Sequence, residues 1–202
     1  MIDIYVGIDP SINSTGITII TYEDELEKDI QFYIIKPNKL SKKESNINLE
    51  NFSYILYNKV DISIYKNDNY ISELLKTINM ITLIDTIYDT IINYISKYDN
   101  AKVNILIEGI SYGSSIRTKS IFDLAGINYM IRYKFISNNH NIIIATPSNI
   151  KKYATGNGNA NKTTITTMFT TLFPEMSIIS KLDDIADSYF MACLSKKLND
   201  NK

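Results

Sequence analysis

Apolar and polar positions along this chain switch between two periods, and the switches mark out its elements. Residues 3–8 (DIYVGI) are a short, almost continuous apolar run, the pattern of a buried strand. The next residues, PSINS at 10–14, have turn composition. Residues 15–22 (TGITIITY) and 30–36 (IQFYIIK) are rich in β-branched and aromatic side chains and predict two more strands. The acidic stretch 23–29 between them reads as a hairpin tip, so the three strands form an antiparallel meander. Residues 37–70 open with PNKLSKKESNINLENF, are polar and Asn-rich, and read as an excursion with one short strand or helix near 52–64. From Ile71 to about Tyr98 the period changes to helical, with Leu74, Leu75, Ile78, Ile81, Ile84, Ile87, Ile91 and Ile95 on one stripe. A fourth strand (103–107, VNILI) follows. A second helix (117–137) then offers Ile121, Leu124, Ala125, Ile127, Asn128, Ile131 and Phe135 to one broad face. A fifth strand covers 141–146, and Pro147 is placed to open a short helix over 148–154. After the loop TGNGNAN (155–161) come helices 162–172 and 181–198. Three strands first, then helix alternating with strand, predict an α/β fold. Its five-stranded mixed sheet, meander first and parallel strands after, is flanked by helices.

With 202 residues and 45% hydrophobic content, the chain reads as a single domain (1–202) with a real core and an inserted polar segment at 37–70. It has no apolar stretch of the length a membrane span needs. The start, MIDIYVGIDP, lacks the basic flank of a signal peptide and the Arg/Ser-rich look of a transit peptide. A single cysteine, Cys193, excludes an intrachain disulfide and a cysteine-based zinc site. An intracellular setting is therefore expected: the cytoplasm of a bacterium or infected host, or an organelle.

The net charge of −1 argues against a plain basic nucleic-acid binder, but the charge is unevenly spread. From Gly113 to Thr163 there are seven basic residues (Arg117, Lys119, Arg132, Lys134, Lys151, Lys152, Lys162) against one acid, Asp123. Acids concentrate instead at Glu23, Asp24, Glu25, Glu27 and Asp29. A basic face beside an acidic site can attract phosphates.

Four acids sit where carboxylates are unwelcome. Asp9 ends IYVGID, Glu108 ends VNILIE, and Asp184 and Asp187 fall in the otherwise apolar helix DDIADSYFMACL. A carboxylate near a core costs several kcal/mol unless a cation or hydrogen bonds compensate. If the first and fourth strands are parallel neighbours, Asp9 and Glu108 end roughly 5 Å apart. Their strand ends would then form the crevice where open α/β sheets place ligands. Asp184 and Asp187, three apart on a helix, share a face. Taken singly, Asp9 could cap a turn, Glu108 could be a surface residue, and one of Asp183 and Asp184 suits a helix N-cap. Asp183 is also an i, i+4 partner of Asp187, so spacing alone leaves Asp183 and Asp184 open. Together the acids point to a hard divalent ion such as Mg²⁺, and to two such ions about 4 Å apart in phosphoryl chemistry.

On these residues the chain resembles the RuvC-like Holliday junction resolvases of the ribonuclease H-like superfamily. The pieces that carry the resemblance are GIDPSINSTG (7–16), LIEGISYG (106–113), IKKYATGNGNANK (150–162) and DDIADSYFMA (183–192), in family order. The resemblance implies a ribonuclease H-like fold and a homodimer that makes paired nicks in a four-way junction, leaving 5′-phosphate and 3′-hydroxyl ends. It implies Asp9, Glu108, Asp184 and Asp187 as ligands of two Mg²⁺ ions, with Mn²⁺ able to substitute, and it prefers Asp184 to Asp183. It sets Lys151 and Lys162 against DNA phosphate, and Arg117, Lys119 and Lys152 extend that basic face. Helix 117–137 resembles the family's dimer helix. The chain departs from the pattern in having Ser111 where a bulky aromatic commonly unstacks bases, with Tyr112 beside it as the substitute, and in the longer segment 37–70. A broader nuclease acting on forks, flaps or RNA–DNA hybrid remains an alternative. A more distant one is an actin-like nucleotide-binding protein, although the second phosphate loop that fold needs is not found. His140, in the polar turn NNHN, reads as a surface residue, and Cys193 as inert core.

Overall fold

A computed structural model describes residues 1–65, 68–110 and 119–200. Its centre is a mixed sheet in the order β4-β3-β2-β1-β5-β6. The meander is present: β1 (Ile2–Asp9) pairs antiparallel with β2 (Thr15–Glu23), and β2 with β3 (Leu26–Pro37). On the other side β5 (Lys102–Glu108) lies parallel to β1, and β6 (Asn141–Ala145) parallel to β5.

The sheet has six strands rather than the expected five. The extra one, β4 (Phe52–Tyr57), lies within the polar excursion and pairs parallel with the outer edge of β3, Phe32 opposite Phe52 through Pro37 opposite Tyr57. A parallel return needs a crossover of a dozen or so residues, and residues 38–51 supply one. The run FSYILY was ambiguous because so short an apolar segment has no period that separates strand from helix.

Each face of the sheet has its own core, and the pleat decides which residue goes where. In β5, Ile105 and Ile107 join Ile4, Val6 and Ile8 of β1 under helices α1 (Asn69–Ile95) and α2 (Lys119–Ser137). Leu106, between them, points the opposite way. It packs beneath α3 (Pro147–Thr155), α4 (Lys162–Leu172) and α5 (Leu182–Asp200). The predicted stripe of α1 is only half used: Ile84, Ile87 and Ile91 are buried, while Leu74, Ile78 and Ile81 remain exposed. No helix among the described residues is long and apolar enough to cross a membrane.

The ends of the helices follow from local chemistry. Asp68 caps α1 by accepting from the Ile71 amide, and Thr146 caps α3 ahead of Pro147, accepting from Asn149. Gly156 closes α3 in the left-handed conformation, φ 78°, which a Cβ would strain. Asn161 starts α4 through the Thr164 amide at 2.8 Å. The loop 155–161 is thus a C-cap joined to an N-cap.

Helix α5 lies almost in contact with the strand backbone. A Cβ on Gly7 would meet the Ser188 carbonyl oxygen at 1.9 Å and the Ala192 nitrogen at 2.6 Å. Thr18 and Ser188 seal the approach with a hydroxyl–hydroxyl bond of 2.8 Å. Gly7→Ala is therefore expected to cost at least about 3 kcal/mol, the top of the usual range for overpacking, in urea unfolding of metal-free protein. Gly126→Ala on α2, where the nearest atom is the Met80 sulfur at 3.8 Å, is the control; it is expected to be neutral or to stabilise by up to about 1 kcal/mol.

Candidate active site

Asp9 and Glu108 are the last residues of β1 and β5. Those strands are parallel neighbours in a register that pairs Ile8 with Ile107, so the two acids leave the sheet side by side. Pleat parity sends both to the same face. Gly7, two before Asp9, lies beneath α5, and Leu106, two before Glu108, belongs to the α5-side core.

The third acid arrives through Gly16. This residue pairs with Asp9 across the antiparallel ladder. A Cβ on it would lie 2.2 Å from the Asp184 carbonyl oxygen and 3.2 Å from the Asp184 Cβ. The first turn of α5 thus rests on Gly16, one strand over from Asp9, and Asp187 lies one turn further along the helix. Asp184 is buried, 8% exposed, whereas Asp183 is partly exposed and forms a 3.2 Å ion pair with Lys162. Tertiary placement therefore separates two acids that spacing left equivalent.

The arrangement is electrostatically unfavourable for unaccompanied carboxylates. Burial, then the charges of Asp187, Glu108 and Asp184, push Asp9 well above the usual carboxylate range, with Lys162 opposing. Burial and then Asp187 raise Glu108 to about 7, against Lys162 and Lys151. Burial raises Asp184 to about 6; the Ser14 hydroxyl beside it opposes the rise, and Asp183 adds to it. Asp187 is raised by burial, with Lys162 opposing. Yet neither Ser14 Oγ nor Asp184 Oδ2 has a partner at hydrogen-bonding geometry, although both are buried.

Four carboxylates with a buried, unpartnered oxygen match the all-oxygen donor set of a hard dication such as Mg²⁺. Among the described residues no three His, Cys, Asp or Glu side chains converge closely enough to share one ion. Ligating a common ion would require the carboxylates to swing together, which their mutual repulsion opposes until a cation is present.

The sequence-predicted cations divide. Lys162, first residue of α4, and Lys151 of α3 both act on the acid cluster. Burial alone would lower Lys162, but its bond to Asp183, then the charges of Asp183, Asp187 and Asp9, hold it above the ordinary lysine value. Lys152 faces elsewhere, lining a depression with Ile144, Tyr153, Leu194 and Lys197. Tyr112 and Arg117 lie outside the described residues; Lys119 opens α2, with its side chain outside them. His140 is not a plain surface residue. It is half-buried edge-on against Tyr88 and Phe135, and burial lowers its pKa. Burial also raises the Cys193 thiol to about 11, as suits an inert thiol.

Three supporting residues were missed. Gly16 seats Asp184. Ser14 lies beside it. Asn128, 3% exposed, donates from Nδ2 to the Glu108 carbonyl at 2.8 Å and fixes the end of β5. Only Asn128 left a legible trace, as an amide in the middle of an apolar helix face.

Comparison with known proteins gives one concordant direction. The family model of the crossover junction endodeoxyribonuclease RuvC matches residues 75–194. No curated protein sequence matches the chain. Among solved structures, the fold is similar to Thermus thermophilus RuvC (TM-score 0.52, 10% identity, 97% of this chain and 96% of that one). It is also similar to T. thermophilus RuvC in complex with Holliday junction substrate (TM-score 0.51, 9% identity, 94% and 90%). These likenesses establish a shared α/β, ribonuclease H-like architecture.

The raised carboxyls predict a pH signature. A carboxyl with a folded pKa above its unfolded value binds more protons when folded, so its contribution is full below about pH 4 and disappears as pH rises through the folded value. For Glu108 and Asp184 that window runs from about 4 to about 7. Metal-free protein should lose thermal stability from pH 5 to 8, and Glu108→Gln should flatten the loss relative to wild type. Mg²⁺ should raise the melting temperature more at pH 7.5 than at pH 5; an equal shift at both would contradict the cluster's electrostatics.

Proposed function

The chain belongs to the crossover junction endodeoxyribonuclease RuvC family, and from that premise we propose that it is a structure-selective DNA endonuclease acting on four-way (Holliday) junctions by paired nicks that leave 5′-phosphate and 3′-hydroxyl ends. The observation that carries the reading is the gathering of Asp9, Glu108 and the Asp184/Asp187 pair from β1, β5 and α5 at one end of the sheet. A similarly folded protein in complex with a Holliday junction substrate supports the choice of DNA.

In this reading the four acids hold two Mg²⁺ ions, with Mn²⁺ able to substitute. When bound, the ions would supply an activated water and relief of charge on the leaving 3′ oxygen. The residues of the chain position the strand. Lys151 and Lys162 flank the acids and would take the neighbouring phosphates, Lys162 exchanging Asp183 for a phosphate oxygen. Asn128 and Gly16 keep the two sides of the cluster in register. Tyr112 would stack an unpaired base, and Arg117 and Lys119 would extend the phosphate track, whereas Lys152, turned to the depression beside Leu194, would not.

Paired nicks need two sites, hence a homodimer. Its support is the outer side of α2, where Phe122, Tyr129, Tyr133 and Ile136 are exposed while Ile127, Ile131 and Phe135 are buried behind them. The whole of 1–202 acts as one nuclease domain.

Asp9→Asn is expected to reduce cleavage of a synthetic four-way junction about 10³-fold or more, the scale of losing an electrostatic contributor to the transition state. Junction binding in Ca²⁺ should stay within a few-fold of wild type. Symmetric nicks on the junction, absent from linear duplex, identify a resolvase. Equal rates on junction, fork and duplex would replace it with a broader nuclease, and undiminished cleavage by Asp9→Asn would overturn the site.

A further inference from the structure

Among the described residues, the most thoroughly bonded buried charge lies outside the acid cluster. Glu44 is 6% exposed, in the polar segment between β3 and β4. Its Oε1 accepts from Lys36 Nζ at 2.6 Å and from Ser180 Oγ at 2.8 Å. Its Oε2 accepts from the Ser41 amide at 2.8 Å, and Ser41 Oγ accepts in return from the Glu44 amide at 3.3 Å. That reciprocal pair is a capping box, which ties the carboxylate to its own turn. Ser180 Oγ has a single proton, given to Glu44, so the Tyr54 hydroxyl must be the donor in its 3.2 Å contact with Ser180. Burial works against the charge of Glu44, but Lys36, Ser41 and Ser180 together pull its pKa down to about 2, so it is ionised at any working pH.

Ser180 is where this network matters. It is the residue before Lys181, which is left-handed (φ 65°), and Leu182 then begins α5. The Asp184 amide donates to the Lys181 carbonyl at 3.2 Å. Three residues therefore separate the Glu44 bond at Ser180 from an acid of the cluster, and the chain between is a sharp reversal rather than a slack loop. The strand that follows, β4, braces the other side of the site. Tyr57 donates its hydroxyl to the Ile12 carbonyl at 3.1 Å, in the turn directly after Asp9. A cavity of about 190 Å³ is bordered by Asn13, Ser14, Lys36, Glu44, Ser180 and Lys181.

We propose that Glu44, acting through Ser180, is a positioning residue that sets where α5 begins and so where the Asp184 and Asp187 carboxylates stand relative to Asp9. The segment between β3 and β4 is on this account an internal brace for the acid cluster. The consequence for catalysis rests on the nuclease reading; the mechanical link does not. Gly16 limits how closely α5 can approach the sheet, and the Glu44–Ser180 bond limits how far its first turn can slide along it.

Ser180→Ala removes the link, and with it the Tyr54 contact, leaving Lys36, Glu44 and Ser41 bonded. In metal-free protein, amide hydrogen exchange over 182–187 should accelerate about tenfold, the scale of one lost hydrogen bond to a carboxylate, while β1 and α1 keep wild-type rates. Mg²⁺ affinity by calorimetry, and the Mg²⁺ concentration for half-maximal junction cleavage, should each worsen several-fold with junction binding unchanged. Ser180→Thr, which keeps the hydroxyl, should restore all three. Wild-type exchange at 182–187 in Ser180→Ala, or acceleration spread evenly over the whole chain, would overturn the proposal. If wild type cleaves no junction at all, the nuclease reading fails, while the exchange and calorimetric results still decide whether Glu44 positions α5.

Discussion

Everything at the acid cluster depends on how closely the last helix can lie on the sheet. Two backbones normally keep a layer of side chains between them, and that layer would hold Asp184 and Asp187 well away from the strand ends. Here the layer is missing at Gly7 and Gly16, where a Cβ would lie 1.9 Å and 2.2 Å from carbonyl oxygens of α5. With α5 seated on those two positions, its first turn reaches the plane in which β1 and β5 end. The hydroxyls of Thr18 and Ser188, buried by this close approach, satisfy each other.

The same closeness makes the cluster a local conflict between folding and chemistry. Burial raises all four acids, the charges of neighbouring carboxylates, Asp183 among them, add to it, and Glu108 and Asp184 are lifted to about 7 and about 6. A site meant only for stability would replace such a group of like charges with apolar packing. Lys151 and Lys162 border this one and relieve part of the repulsion, while Ser14 Oγ and Asp184 Oδ2 stay without partners. Local rules broken in one place and kept elsewhere are a mark of function. The contrast with Glu44 is instructive, because that equally buried carboxylate is fully bonded and its pKa moves the opposite way.

The segment between the meander and α1 shows how a polar stretch can still carry structure. Its strand β4 adds to the outer edge of the sheet, and Ile47 and Leu49 pack against the core shared by α3, α4 and α5. Its backbone is engaged as well: Asn79 of α1 bonds both polar backbone atoms of Val60. Polarity in this region reflects hydrogen-bonded bracing rather than a loose loop.

Much of this was legible from the residues alone. Period and propensity located the three strands of the meander, the long helix, the strands ending in Asp9 and Glu108, and α4 to its exact bounds, because an element's own side chains set its period. The four acids stood out because carboxylates at the ends of apolar runs demand a reason. What the chain could not reveal by itself were the facts that depend on partners distant in sequence. The sixth strand exists because β3 offers an edge to FSYILY. Asp184 differs from Asp183 because Gly16, far away in the chain, lies under one and Lys162 beside the other. Ser180 matters only because Glu44, 136 residues earlier, ends up against it. Local pattern reports which face of an element is apolar; only the packed tertiary structure decides which two faces meet, and hence which polar groups are left to act together.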